Sequence, residues 1–290
     1  MRLALALAVT LAAGSWAATA PAVEYGVYIL TGQSNALGTT AAGDTLPAPG
    51  AHEADSQTAF WWSNVSSTNG AYPAAIHGDS GGRIGTLQPQ QGDGGANPTF
   101  WGPEFGFARR LFDRGARQTL IIKACRGGGS NSLWDKAAFD AAADAGHMWG
   151  HLRDTVDAAL ATVTATPGDG FRIRGFLYLQ GESNTAADAA AADHRLGELV
   201  ASLTAHVEAA HPGTTAGMTV VVGEIAASRA NDLRLTTTQA QRRLAEASDT
   251  VLFAPTADLP LKRDGIHFGG EAKLEIGRRM AEALLDDVAR

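Results

Sequence analysis

The sequence predicts an α/β domain in which a mostly parallel sheet is covered by helices on both faces. Three observations carry that expectation. Short apolar, β-branched runs recur along the chain and end at glycines or polar clusters. Segments with helical spacing lie between them. Of 290 residues, 45% are hydrophobic and 18% charged, a globular composition that excludes a mostly disordered chain. Strands alternating with helices give parallel pairing, and such sheets are buried on both sides.

The chain begins with Met1 and Arg2, an apolar run over 3–14 and small residues over 15–22. One positive charge, a short apolar stretch and an A-x-A-like end predict a secretory signal peptide at 1–22. The run is too short to cross roughly 30 Å of hydrocarbon comfortably, and no later segment resembles a membrane span. The expected protein is therefore secreted, extracellular or periplasmic, with no membrane attachment after cleavage. A single domain is expected over 23–290.

Strands are predicted at 25–31 (YGVYILT), 119–124 (TLIIKA), 173–179 (IRGFLYL), 218–223 (MTVVVG) and 250–253. Leu152, Val156, Ala159 and Val163 share one helical face, as do Leu196, Leu199, Leu203 and Val207. The last helix aligns Leu274, Gly277, Ala281, Leu284 and Val288. Residues 38–103 break the rhythm. They are rich in Gly, Pro, Ser, Thr and Asn, and only 57–62 reads as a strand, so they are expected to form a long irregular insertion.

Lys+Arg 23 against Asp+Glu 30 leaves a net charge of −7, which disfavours a nucleic-acid binder. The single cysteine, Cys125, excludes an intrachain disulfide and any multi-cysteine metal cluster. Having no second cysteine to mispair with suits an oxidising compartment, and its place at a strand end predicts a buried, small apolar role.

In open parallel sheets, ligands bind beyond the carboxyl ends of the strands. Three such ends carry polar clusters: Gly32-Gln33-Ser34-Asn35, Arg126-Gly127-Gly128-Gly129-Ser130 and Gln180-Gly181-Glu182-Ser183-Asn184. A fourth, Asp264-Gly265-Ile266-His267, precedes the terminal helix. Together they offer a hydroxyl, backbone N–H groups, a carboxamide and an acid–imidazole pair, the parts of a serine hydrolase.

Read singly, each part has a plainer role. Ser34 could cap a helix, the glycines could form a tight turn or cradle a phosphate, Gln180 could satisfy loop backbone, and His267 could be a surface histidine. Residues 32–38 lack the Gly-Lys-Ser/Thr ending of a P-loop and the GxGxxG spacing of a dinucleotide site. No HExxH or Cys/His cluster completes a metal site around Asp264 and His267. Ser183 half-matches a G-x-S-x-G elbow, but Asn184 and Thr185 follow it.

Read jointly, the clusters resemble the SGNH hydrolase superfamily, and within it the sialate O-acetylesterase and acetylxylan esterase group (carbohydrate esterase family 6). The matching text is TGQSNALG at 31–38, GPEFGFARRL at 102–111, KACRGGGSNSLW at 123–134, LQGESN at 179–184 and DGIHFGG at 264–270. The resemblance implies a flavodoxin-like three-layer α/β/α domain with about five parallel strands, acting by deacetylating carbohydrates without cofactor or metal. It puts Ser34 at the nucleophile position, His267 at the base and Asp264 at its orienter. The oxyanion donors would be the N–H groups of Ser34 and Gly128 and the carboxamide of Gln180, which stands where much of the superfamily has Asn. Three glycines after Arg126 replace the Gly-Gly-Thr of many relatives, so Gly127 and Gly129 remain alternatives to Gly128.

Gln33, Asn35, Arg126, Glu182 and Trp101 are candidate substrate contacts. Arg126 could meet an acidic sugar or pair at the loop base. Glu182 could orient the Ser34 loop, act as an acid, or accept loop N–H bonds. Trp61, Trp62, Tyr72, Phe100 and Trp101 could stack on sugar rings or anchor loops. The expected partner is an acetylated polysaccharide or oligosaccharide, most simply acetylated xylan. The alternatives are a sialate or broad short-chain esterase and a non-catalytic carbohydrate-binding module on a hydrolase scaffold.

Overall fold

In the computed structural model, which describes residues 22–38, 51–65, 67, 70–73, 76–91, 98–226 and 232–288, the apolar runs are strands. The expected signal peptide, apart from Ala22, lies outside the described residues. No described helix is long and apolar enough to cross a membrane.

The chain runs β1 (Glu24–Gly32), α1 (Ser34–Leu37), α2 (Glu53–Gln57), β2 (Ala59–Val65), β3 (Ile76–Asp79), β4 (Gly85–Thr86), β5 (Gln90–Gln91), β6 (Pro98–Phe100) and α3 (Glu104–Asp113). It continues through β7 (Thr119–Arg126), a 3-10 turn (Asn131–Trp134), α4 (Lys136–Ala141), α5 (His147–Thr164) and β8 (Gly170–Leu179). Then come α6 (Ala186–Ala190), α7 (Ala192–Ala210), β9 (Thr219–Gly223), α8 (Asp232–Glu246), β10 (Val251–Ala254) and α9 (Gly270–Val288).

The main sheet has the order β10-β9-β8-β1-β7-β2-β3, with β4 also on β2. From β10 to β2 every pairing is parallel, whereas β3 and β4 are antiparallel to β2. The five strands read from sequence lie as β7-β1-β8-β9-β10, the 2-1-3-4-5 order of flavodoxin-like sheets. The expected count of about five is nevertheless corrected to eight. The insertion supplies β2, β3 and β4, because Phe60, Trp61 and Trp62 bury on both faces and extend the parallel edge. β5 and β6 pair separately.

Alternate residues of the strands feed two cores. Tyr28, Leu30, Ile121, Leu177 and Val221 pack against Phe105 and Phe107 of α3 and Ile276 and Met280 of α9. Val27, Ile29, Ile122, Ile173 and Val220 pack against Leu152, Val156 and Leu160 of α5 and Leu196, Leu199 and Leu203 of α7. Each such aliphatic side chain contributes roughly 1.5–3 kcal/mol on full burial. A Cβ on Gly106 would lie 1.9 Å from the Leu274 carbonyl oxygen, and one on Gly277 1.9 Å from that of Pro103. The two glycines let α3 and α9 touch backbone to backbone.

From β1 the chain moves out to β2, β3 and β4, returns inward to β7 beside β1, then crosses β1 to begin β8, β9 and β10. The reversal sets the carboxyl end of β1 between the loops after β7 and β8.

Candidate active site

At the end of β1 Gly32 has φ +150, and a Cβ there would lie 2.0 Å from the Leu179 carbonyl oxygen. Only glycine lets β1 end so close to β8. The Gln33 N–H donates to the same oxygen at 3.2 Å, and α1 begins at Ser34. The Ser34 side chain does not cap this helix, whose N-cap is Gln33. Its Oγ, on a residue 6% exposed, lies 2.9 Å from His267 Nε2.

The histidine comes from the loop between β10 and α9, closed by a Leu261–Phe268 bridge and a Lys262 N–H donated to the His267 carbonyl oxygen at 2.8 Å. Asp264 organises the turn. Its Oδ1 accepts the N–H groups of Ile266 and His267, both at 2.9 Å, and its Oδ2 lies 2.8 Å from His267 Nδ1. Burial pushes the Asp264 carboxyl up, but these bonds from His267 and Ile266 outweigh it and hold it at about 2. A carboxylate only accepts, so Nδ1 carries the ring proton and leaves Nε2 free to accept from the serine hydroxyl.

The loop after β7 is held from within. The Arg126 guanidinium donates to the carbonyl oxygens of Gly127 and Gly128, both at 3.1 Å, and of Ser67 at 2.9 Å. Gly128 has φ +65, with open space where a Cβ would stand. Gln180 braces the same loop from β8: Nε2 donates to the Gly129 carbonyl oxygen at 3.1 Å, and Oε1 accepts the Tyr178 hydroxyl at 3.1 Å. Asn184 Oδ1 accepts the Asn131 N–H at 2.9 Å, and Ser130 bonds Asp188.

The five side chains read as substrate contacts are buried, as Ser34 and Gln180 are, and each has partners within the framework. Trp101, at 2% exposure, packs edge-to-face with Phe105. Gln33 Oε1 accepts the Ser183 N–H at 3.3 Å. Asn35 bonds Glu182 Oε1 at 2.6 Å and the chain on both sides of His267. Arg126 is occupied by its own loop. Glu182 accepts from Asn35, and burial pushes its carboxyl up. Trp61, Trp62 and Phe100 are buried too, while half-buried Tyr72 bonds Asp154 and Arg153. Ser183 is exposed, and it is Ser34 that meets the histidine. Cys125 is buried beside the Leu30 carbonyl, and burial pushes its thiol up to about 12, so it is inert.

Sequence reasoning missed three residues near the site. Buried Arg234 of α8 donates to the Gly265 carbonyl oxygen at 3.0 Å and that of Glu182 at 3.4 Å, joining two of the loops. Lys123 and Glu104, both fully buried, pair at 2.9 Å, and Lys123 Nζ donates to the Leu37 carbonyl at the end of α1 at 2.9 Å. A lysine inside the apolar run TLIIKA was the available signal. Among the described residues, no group of three or more His, Cys, Asp or Glu side chains could hold a metal ion.

Comparisons with known proteins bear on the fold and the family. No curated protein matches the chain. Among solved structures, a protein from Arabidopsis thaliana is similar at 18% identity and TM-score 0.64, over 91% of this chain and 98% of that one. NanS is similar at 16% identity and TM-score 0.60, over 93% and 99%. A carbohydrate acetylesterase from Xanthomonas citri is similar at 14% identity and TM-score 0.58, over 89% of this chain and 55% of that one. At these identities the likeness shows a shared fold. The model of one family, "Carbohydrate esterase, sialic acid-specific acetylesterase", matches residues 24–286, a span that holds every cluster described above. The chain therefore belongs to that family of carbohydrate esterases and is a carboxylic ester hydrolase.

Proposed function

We propose that the protein is a secreted serine esterase that removes O-acetyl groups from acetylated xylan or a similar glycan, through Ser34, His267 and Asp264. The observation that carries this reading is the continuous line of short contacts, 2.8 Å from Asp264 to His267 and 2.9 Å from His267 to Ser34. A serine hydroxyl is a weak nucleophile without such a base. His267 takes the Ser34 proton as Oγ attacks the ester carbonyl, and Asp264 steadies the imidazolium that forms. The oxyanion receives the N–H groups of Ser34 and Gly128 and an N–H of Gln180, each donor contributing about 3–4 kcal/mol to the transition state. His267 returns the proton to the departing sugar hydroxyl, and water then clears the acetyl group from Ser34. No step requires a cofactor.

A second reading, a sialate O-acetylesterase, is favoured by the family description. Against it stands Arg126, the cation nearest the glycine loop by sequence, which is occupied by the carbonyl oxygens of Gly127, Gly128 and Ser67. A neutral glycan asks for no such cation.

The test is release of p-nitrophenol from its acetate by the wild-type protein and by Ser34→Ala and His267→Ala. Loss of activity in both variants supports the reading, and turnover in either, or none in the wild type, refutes it. Acetate released faster from acetylxylan than from O-acetylated sialic acid selects the first substrate class, and the reverse order selects the second.

A further inference from the structure

Asn35 follows Ser34 in α1 and is 0% exposed. Its side chain has three partners, all outside its own helix. Nδ2 donates to the Ile266 carbonyl oxygen at 3.0 Å and to Glu182 Oε1 at 2.6 Å, and Oδ1 accepts the Phe268 N–H at 3.0 Å. Ile266 and Phe268 are the two chain neighbours of His267, so one carboxamide brackets the base. The orientation of that amide has no alternative. A flipped amide would set its NH2 against the Phe268 N–H and its oxygen against the Ile266 carbonyl and the Glu182 carboxylate.

We propose that Asn35 is the positioning residue for His267, fixing the backbone that carries the imidazole to the helix that carries Ser34, with Glu182 holding the amide in register. The inference rests on the functional reading above. Asp264 sets the rotation of the ring through Nδ1, but nothing in that bond sets the distance from the ring to Ser34. Asn35 sets it through one residue rather than across the sheet. Glu182 belongs to the framework, because both ring nitrogens already have partners, Asp264 at Nδ1 and Ser34 at Nε2.

The discriminating variant is Asn35→Asp, which keeps the shape and removes both donors. Its new carboxylate would face Glu182 and the Ile266 carbonyl, with Arg234, Asp264 and His267 as the other charged or titratable groups about it. The expected result with p-nitrophenyl acetate near pH 8 is a kcat at least tenfold below wild type and a KM within twofold. The ratio of variant to wild-type kcat should rise as pH falls toward 5.5, because one proton shared between the introduced carboxyl and Glu182 restores a donor. Asn35→Ala should show the same loss of kcat without that recovery, and it carries the test should the aspartate variant not fold. Glu182→Gln, which keeps an acceptor for Asn35, should lose only two- to fivefold.

Wild-type kcat in both Asn35 variants overturns the proposal. So does a raised KM at unchanged kcat, which would make Asn35 a substrate contact, and so does a Glu182→Gln variant as inactive as His267→Ala. Activity retained by Ser34→Ala would instead overturn the functional reading, so the two failures are distinguishable.

Discussion

Gln180 donates from its carboxamide to the carbonyl oxygen of Gly129 at 3.1 Å, tying the end of β8 to the loop after β7. Gln180→Ala removes this brace together with the proposed oxyanion donor. The expected loss of kcat toward p-nitrophenyl acetate is about 10²–10³-fold. Tyr178→Phe removes only the hydroxyl that Gln180 Oε1 accepts and should lose less than tenfold. Steady-state kinetics on both variants checks the order.

Asp264 is held at about 2, so it stays ionised wherever the protein is assayed. Only a ring with Nε2 unprotonated can accept the Ser34 proton, so the proposed base has to be free of one proton and no more. The log kcat/KM profile should therefore descend with a slope of one on its acid side, a second proton entering only near pH 2. A slope of two above pH 4 would contradict the assignment. Asp264→Asn, with the ring left in the wrong tautomer, should lose about 10⁴-fold in kcat.

The pair of Lys123 and Glu104 has no exposure on either side chain. Lys123→Met leaves a carboxylate buried without its cation and should cost about 3–5 kcal/mol. Combining it with Glu104→Gln should recover most of that loss, because the remaining bonds from Gly102 and Gln90 to residue 104 need only an acceptor. Urea denaturation of the two variants measures both effects.

Burial pushes the His151 imidazole below its ordinary value, against the opposing bond to the Ser63 carbonyl oxygen. Below about pH 6.5 the unfolded chain takes up a proton there that the native state refuses. This contribution to stability is complete above that pH and declines as pH falls. Thermal melts between pH 7.5 and 5 should show the wild-type Tm dropping more steeply than that of His151→Gln.

Five strands were legible in the sequence, each within a few residues of its ends, because an apolar run buried on both faces has few other ways to fold. The four polar clusters were legible for a related reason, since serine, glycine and histidine interrupt such runs where the strands stop. The edge of the sheet was legible only in part: 57–62 reads as a strand and β2 forms there, but β3 and β4 carry no such pattern. β2 continues through Ser63 and Asn64, whose burial depends on neighbouring elements rather than on their own polarity. The framework around the site was equally hidden. Arg126 and Glu182 already had a framework role among their readings, but Asn35 looks like a ligand contact as a letter, and only the fold reveals its partners at Glu182 and on both sides of His267. Arg234 lies in a helix with no strong apolar stripe, so nothing local marks it.

The atoms that meet at 2.9 Å belong to residues 233 positions apart. A polypeptide leaving the ribosome holds the serine long before it holds the imidazole. On the proposed mechanism the hydroxyl stays chemically ordinary until the loop that carries His267 is laid down, so synthesis itself would keep an unfinished copy from cutting esters.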